Sequence, residues 1–176
     1  MRLFNSKKTI ILFCLLIGWY GIIFYFSAQP AELSGELSRP MADKLADATN
    51  AKEKVEAEGI QKNEHPLRIE LDVTAEINKY EQFMRKSAHI FLFFGIGVLS
   101  ALAFQRIHKS FWMQIIGATL LSFLFAGLDE FHQFFIPGRA CLWTDVGIDF
   151  LGSLAGILFV FFFSGIRKRI LLRSKK

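Results

Sequence analysis

Two adjacent acids, a histidine and an amide stand close together at the end of an apolar run of the chain. They are Asp129, Glu130, His132 and Gln133. Acidic side chains at the margin of a membrane helix are energetically costly, so they are usually paired and carry a function. This segment is therefore the first candidate for chemistry.

Charged and polar side chains also lie at or near the ends of other apolar runs. The topology described below predicts that these ends lie on the same side of the membrane. The candidate site comprises Arg85, Lys86, His89, Asp129, Glu130, Gln133, Arg139, Asp145 and Asp149. Arginines in such a set could bind a phosphate, carboxylates and imidazole could hold a divalent cation, and the same groups could do general acid–base chemistry. In an enzyme, His89, Asp129 and Glu130 would be the catalytic residues. The sequence identifies neither a metal nor any other cofactor.

The alternative without a function is that charges at helix ends only anchor the spans in the membrane interface. That explanation suffices for Lys86 taken alone. It fits Asp149 poorly, because Asp149 lies inside an apolar run and shares a stripe with Asp145, Gly152 and Gly156, spaced four, three and four residues apart. Small residues at this spacing are typical of close helix contacts, so Asp149 is predicted to face another helix.

Asp129 and Glu130 are predicted to lie at the C-terminal end of a helix, where the helix dipole is negative. A carboxylate there is disfavoured by about 0.3–1 kcal/mol. Basic side chains would offset this cost, and Arg85 and Arg139 are predicted to lie at the same depth. The sequence therefore predicts that one of these arginines pairs with one of the two acids.

Four apolar runs in the 176-residue chain must position these side chains: about residues 9–26, 88–104, 111–128 and 146–166. Each is close to the ~20 residues that a membrane-spanning helix needs. The alternative is that the four runs are buried core helices of a soluble protein. A chain of this length has too little polar surface left to enclose four such helices. The predicted fold is an all-α polytopic bundle of four transmembrane helices with an extracytoplasmic helical loop at about 27–87.

Charge predicts the orientation of the bundle. Basic residues without any acid precede the first run, separate the second from the third and follow the fourth, whereas all sixteen acids lie in 27–87 and 129–149. The positive-inside rule then places both termini in the cytoplasm. The basic pI reflects cytoplasmic anchors beside anionic lipid, not nucleic-acid binding. Cys14 would lie within a span and Cys141 outside it, so no disulfide is expected.

The long acidic segment is less informative. The stretch 41–59 could be a surface helix or a mobile loop, and His65-Pro66 should interrupt it. A new helix capped by Asp72 or Thr74 is predicted to run directly into the second span.

The connection to the last span has a clearer pattern. Ile136-Pro137-Gly138-Arg139 predicts a type II turn, because proline presets φ at its first central position and glycine accepts positive φ at the second. Thr144 or Asp145 is predicted to cap the helix that follows.

The ordered motifs resemble those of the VanZ-like family. They are Ser27-Ala28-Gln29, Arg85-Lys86-Ser87-Ala88-His89, Asp129-Glu130-Phe131-His132-Gln133, Pro137-Gly138-Arg139 and the stretch Asp145–Gly152. The resemblance extends over about residues 26–156 and adds Gln29 to the binding residues. It implies a small polytopic bacterial membrane protein linked to low-level resistance to the glycopeptide teicoplanin. The acidic segment is longer than the resemblance implies, and Asp149 stands where an asparagine is more usual.

The leading hypothesis is a single-domain protein, residues 1–176, of the bacterial cell membrane. It would recognise a membrane lipid or a lipid-linked wall precursor by its head group, from outside, and lower glycopeptide susceptibility. One alternative is a membrane-embedded hydrolase or transferase acting on such a head group, and another is a structural or partner-binding protein. No nucleophile elbow, phosphate loop or HExxH motif occurs, so the enzyme alternative depends on the polar cluster alone. The sequence leaves the oligomeric state open.

Overall fold

A computed structural model describes residues 7–139 and 141–173, and within these residues the protein is built from six α-helices without a β-strand. The helices are α1 Lys7–Ser27, α2 Ala31–Ala48, α3 Ala51–Gln61, α4 Pro66–Ile107, α5 Phe111–Gln133 and α6 Trp143–Arg173. The predicted all-α class is confirmed.

Four of these helices are long and apolar enough to cross a membrane: α1, α4, α5 and the part of α6 from Trp143 to Lys168. They turn large apolar side chains outward. Leu120, Phe123 and Phe162 are 64%, 50% and 65% exposed. Apolar surface of this extent suits lipid and not water, which argues against the buried-core alternative and confirms the four predicted spans.

The chain forms two compact units. Within the described residues, the first unit comprises α1, α5, α6 and the part of α4 that begins at His89, and the second comprises Gln29–Ala88. Each unit has buried apolar residues of its own.

In the second unit, the stretch 41–59 is helical. It belongs to α2 and α3, which are separated only by Thr49 and Asn50. The Thr49 hydroxyl is hydrogen-bonded to the Tyr80 hydroxyl at 2.9 Å. Gly59 of α3 packs against the side chain of Ile69. These contacts hold the helices of the acidic segment against the first part of α4.

Helix α4 begins earlier than predicted. The expected caps Asp72 and Thr74 lie inside it, and the Thr74 hydroxyl donates to a backbone carbonyl one turn back. Pro66 starts the helix because proline at the first helical position presets φ and lacks only an N–H that would have no partner. His65 accepts a hydrogen bond from the Leu67 N–H through Nδ1 at 3.3 Å. The predicted continuity into the second span is confirmed, because α4 is one helix from Pro66 to Ile107.

The first unit is held together by apolar packing between its helices. One cluster joins all four of its helices and contains Leu16, Ile23, Phe93, Ile96, Ala126 and Val146. A second contains Ala101, Ala118, Ile157 and Val160. The indole N–H of Trp19 also donates to the Leu92 carbonyl at 2.8 Å. That bond joins α1 to α4, and in an apolar setting an unpaired indole donor would be costly.

Helices α4 and α6 approach each other closely through glycines. A Cβ at Gly152 would lie 2.6 Å from the Ile90 carbonyl oxygen, and one at Gly156 would overlap the Phe94 carbonyl. Only hydrogen fits at these positions, so the predicted small-residue stripe of α6 does face a helix. This contact sets the relative position of the two helices.

A larger residue at Gly156 should therefore force α4 and α6 apart. We expect Gly156→Leu to destabilise the folded protein by about 1–3 kcal/mol or more, the usual effect of overpacking. Gly165→Leu is the matched control, because a Cβ at Gly165 meets nothing within 4 Å. Thermal unfolding in detergent measures both variants. Equal stability would contradict the proposed role of the contact.

Candidate functional site

The close contact of α4 and α6 places a histidine against an aspartate. His89 lies next to Ile90, and Asp149 lies one turn before Gly152. Nδ1 of His89 is 3.3 Å from Oδ1 of Asp149 and 3.4 Å from its Oδ2. The carboxyl group is almost completely buried, whereas the His89 side chain remains 21% exposed. The stripe that carries Asp149 thus turns it towards α4, as the sequence predicts.

Asp129 completes this group from α5. Its Oδ2 lies 4.0 Å from Nδ1 of His89. The same oxygen accepts hydrogen bonds from the Ser27 hydroxyl at 3.0 Å and from the Gln133 side-chain amide at 2.8 Å. Ser27 is the last residue of α1, so this bond ties α1 to α5. The four-residue spacing of Asp129 and Gln133 indeed makes them neighbours on one helix face.

Glu130 joins the end of α5 to the start of α6. Its Oε1 accepts the backbone N–H of Leu142 at 2.6 Å. Leu142 in turn caps α6, because its carbonyl accepts the N–H groups of Asp145 and Val146. The predicted cap at Thr144 or Asp145 is therefore wrong by two or three positions. Asp145 instead lies in the first turn, where its charge complements the helix dipole.

The predicted turn before α6 is confirmed. Gly138 has a φ of 75° and the Arg139 N–H donates to the Ile136 carbonyl at 3.1 Å. These are the positive φ and the closing hydrogen bond of a type II turn. Arg139 is partly buried, and its positive charge interacts electrostatically with the His89 imidazole.

We call the region that contains His89, Asp129, Glu130, Arg139 and Asp149 the polar end of the first unit. Electrostatically it is rich in carboxylates. The carboxylates of Asp145 and Asp129 each interact electrostatically with those of Glu130 and Asp149. The pairing of Arg85 or Arg139 with Asp129 or Glu130 stays a prediction.

Three of the predicted site residues belong to the second compact unit. Arg85 and Lys86 lie in α4, four and three positions before His89, and Gln29 lies between α1 and α2. His132 is placed differently from the acids that precede it in sequence. Its ring stacks on Phe24, with 3.8 Å between the ring centroids.

Sequence reasoning missed two contributors to the polar end. Ser27 binds Asp129, and the Leu142 backbone binds Glu130. The position of Ser27 directly after the first apolar run was a usable signal, because a hydroxyl at the end of one span can reach an acid at the end of another. The Leu142 contact could not be predicted from residue type, since it is made by the backbone N–H and not by the leucine side chain.

The arrangement supports two kinds of chemistry. His89, Asp129 and Asp149 each offer a ligand atom, and these atoms lie within 4.8 Å of one another, so they could hold a metal ion. Alternatively, the carboxylate of Asp149 could orient the His89 imidazole as a general base. Both cysteines of the described residues are free thiols, as expected.

Comparison with protein families gives a match to the family described as VanZ/LLP1, over residues 12–164. Comparisons with curated proteins and with solved structures give no match. The matched region contains every residue of the polar end and most of each apolar helix. Because the match covers far more than half of the chain, the protein belongs to the VanZ/LLP1 family.

Proposed function

We propose that this protein recognises the head group of a lipid-linked or wall-precursor molecule at the outer face of the bacterial cell membrane. In doing so it would lower susceptibility to glycopeptides such as teicoplanin. Its membership of the VanZ/LLP1 family supports an envelope protein of the VanZ type. Asp129 and Glu130 lie near the end of α5, and Asp149 lies near the start of α6. The ends of membrane-spanning helices are expected near the head groups of a bilayer.

One observation carries the proposal. Oε2 of Glu130 is buried and has no hydrogen-bond partner among the described residues. Buried acceptors without partners are costly and rare in folded proteins. Sugar hydroxyls and peptide amides of a wall precursor are donors that would satisfy them. His89, with 21% of its side chain exposed, gives the group a connection to the surface.

The orientation of the protein is part of the proposal. All acids lie in 27–87 and 129–149, and the remaining connections are basic, so the positive-inside rule supports an extracytoplasmic polar end and cytoplasmic termini. In this orientation the polar end would face the compartment in which glycopeptides act.

Cysteine labelling tests this orientation. We expect Ala57→Cys, in a Cys14→Ser, Cys141→Ser background, to react with a membrane-impermeant thiol reagent on intact cells, because Ala57 is exposed on α3. A cysteine at Gly59 of the same helix would not be suitable for labelling, because its side chain would clash with Ile69. Ser110→Cys in the same background is the control and should react only after lysis. The reverse pattern would contradict the orientation.

Arg139 provides a test of head-group recognition. Lysine keeps the positive charge but lacks the planar fork that binds carboxylate or phosphate through two parallel hydrogen bonds. Because Arg139 lies in a turn and not in a packed helix, we expect Arg139→Lys to accumulate normally in membranes and to lose most of its protection against teicoplanin. The measurement is the minimal inhibitory concentration in a susceptible host.

Arg106→Lys is the matched control, because Arg106 lies in the last turn of α4, far along that helix from His89. It should keep wild-type protection. Wild-type protection by Arg139→Lys would argue against bidentate recognition at this residue. Mass spectrometry of lipids that co-purify with the wild type, but not with Arg139→Lys, would identify the head group.

A second candidate function is hydrolysis or transfer at the same head group. It is favoured by the His89–Asp149 pair, because a carboxylate that orients an imidazole is a recurrent feature of general-base sites. Turnover of the co-purified lipid by the wild type but not by His89→Gln would favour this candidate. Retention of an unchanged lipid by both proteins would favour recognition alone.

A further inference from the structure

We propose that His89, Asp129 and Asp149 form a binding site for one divalent transition-metal cation of the zinc type. The site lies at the polar end of the first unit, and three different helices supply its ligands: α4, α5 and α6. The proposal does not depend on the proposed function, because it concerns only what these three side chains bind.

The geometry of the three side chains fits one ion. A ligand atom from each lies within 4.8 Å of the others, and Nδ1 of His89 is 3.3 Å from Oδ1 of Asp149. Zinc binds nitrogen and carboxylate oxygen at about 2.0–2.2 Å, so ligands of one ion are separated by roughly 3–4 Å. The three groups therefore need only small side-chain movements to coordinate a common ion.

A second observation points independently to a missing ligand. Asp129 is 0% exposed, and its Oδ2 accepts two hydrogen bonds, whereas its Oδ1 is buried with no partner among the described residues. A cation is one of the partners that such an oxygen takes. Ser27 and Gln133 would then hold the carboxylate in place, as outer hydrogen bonds do around metal ligands.

The charges around the three side chains also favour a cation. With a neutral imidazole, the two carboxylates carry two negative charges, which a divalent ion would neutralise. The field of Asp145 adds to the negative potential at Asp149. Arg139 acts on His89 with the opposite sign. The carboxylates of Asp129, Asp145 and Asp149 thus act within this group against the positive charge of Arg139.

The ligand types select the kind of metal. Imidazole suits zinc and its neighbours, whereas magnesium and calcium prefer sites made only of oxygen ligands. Three protein ligands also leave one tetrahedral position open, as in zinc sites that bind a water or a substrate. The partly exposed His89 marks the side from which that position can be reached.

The test uses the full-length protein, purified in detergent with a tag that contains no histidine and stripped with a chelator. After zinc is added and excess removed, we expect one zinc per chain by inductively coupled plasma mass spectrometry. Asp149→Asn and His89→Gln should each weaken zinc binding at least tenfold, because changing even an outer hydrogen-bond partner of a metal ligand costs about 10–100-fold in affinity. An excess of magnesium or calcium should not displace the zinc.

His132→Gln is the matched control, because His132 also lies at the end of α5 but stacks on Phe24 outside the group of three. It should bind zinc like the wild type. A wild type without stoichiometric zinc would overturn the proposal, as would undiminished binding by Asp149→Asn or an equal loss in His132→Gln. If a ligand variant fails to accumulate, thermal unfolding of the wild type decides: zinc, and not magnesium, must raise Tm by several degrees, and no shift overturns the site.

Discussion

Asp129→Leu is expected to abolish most of the folded protein in the membrane. The substitution removes the acceptor of the Ser27 hydroxyl and of the Gln133 amide, and it also removes a neighbour of the His89 ring. A buried donor left without an acceptor costs about 1–3 kcal/mol, and the substitution leaves two such donors, those of Ser27 and Gln133. This is a large fraction of the 5–15 kcal/mol that holds a typical protein folded.

The measurement is the amount of protein in membranes together with thermal unfolding in detergent. Asp129→Asn is the control, because its side-chain oxygen can still accept from Ser27 and Gln133, so it should fold. Ser27→Ala removes one of the two donors to this oxygen and should cost only about 0.5–1.5 kcal/mol. An Asp129→Leu protein as stable as the wild type would show that these contacts contribute little.

Glu130→Ala is expected to remove the proposed protection against teicoplanin altogether and to lower stability. Oε1 of Glu130 holds the Leu142 N–H at 2.6 Å, and the intervening segment carries Arg139. Without the carboxylate, the first N–H before α6 loses its acceptor, at a cost of about 1–3 kcal/mol. The ends of this segment are then no longer tied together, so Arg139 loses its position.

Glu130→Gln separates the hydrogen bond from the charge. Its amide oxygen can still accept the Leu142 N–H, so we expect near-wild-type stability. Its amide NH2 group takes the place of the buried Oε2, which can then no longer accept a hydrogen bond, so we expect protection to fall. Membrane amounts and minimal inhibitory concentrations should be measured for both variants side by side. Full protection by Glu130→Ala would contradict the role of this tether, whereas full protection by Glu130→Gln would contradict a role of Oε2 as an acceptor for the head group.

Much of the fold could be predicted because lipid imposes simple rules. A helix that crosses a bilayer needs a long apolar run, so the four runs of the sequence correspond to α1, α4, α5 and α6. The turn at Pro137-Gly138 was equally predictable, because its residues restrict φ in a specific way. The boundaries were less certain: Asp72 and Thr74 resemble helix caps, but the polar helix around them extends back to Pro66.

The candidate site was predictable in part. Helical spacing predicts that Asp129 meets Gln133 and that Asp149 faces the glycine stripe, since both follow from the geometry of one helix. Which helix lies opposite is a tertiary property, so the meeting of His89 with Asp149 followed only from the contact at Gly152. A backbone donor such as the Leu142 N–H leaves no trace in residue type, which is why its bond to Glu130 was not foreseen.

The bond between Ser27 and Asp129 spans 102 positions of the chain, and this separation has a consequence for how the protein is made. Synthesis proceeds from the N-terminus, so the hydroxyl of Ser27 and the imidazole of His89 enter the membrane before either aspartate does. When Asp129 arrives with α5, its hydrogen-bond donor is already present, and when Asp149 arrives with α6, so is its histidine. The order of residues along the chain thus lets each buried acid meet a partner during insertion instead of waiting in lipid for one to be synthesised.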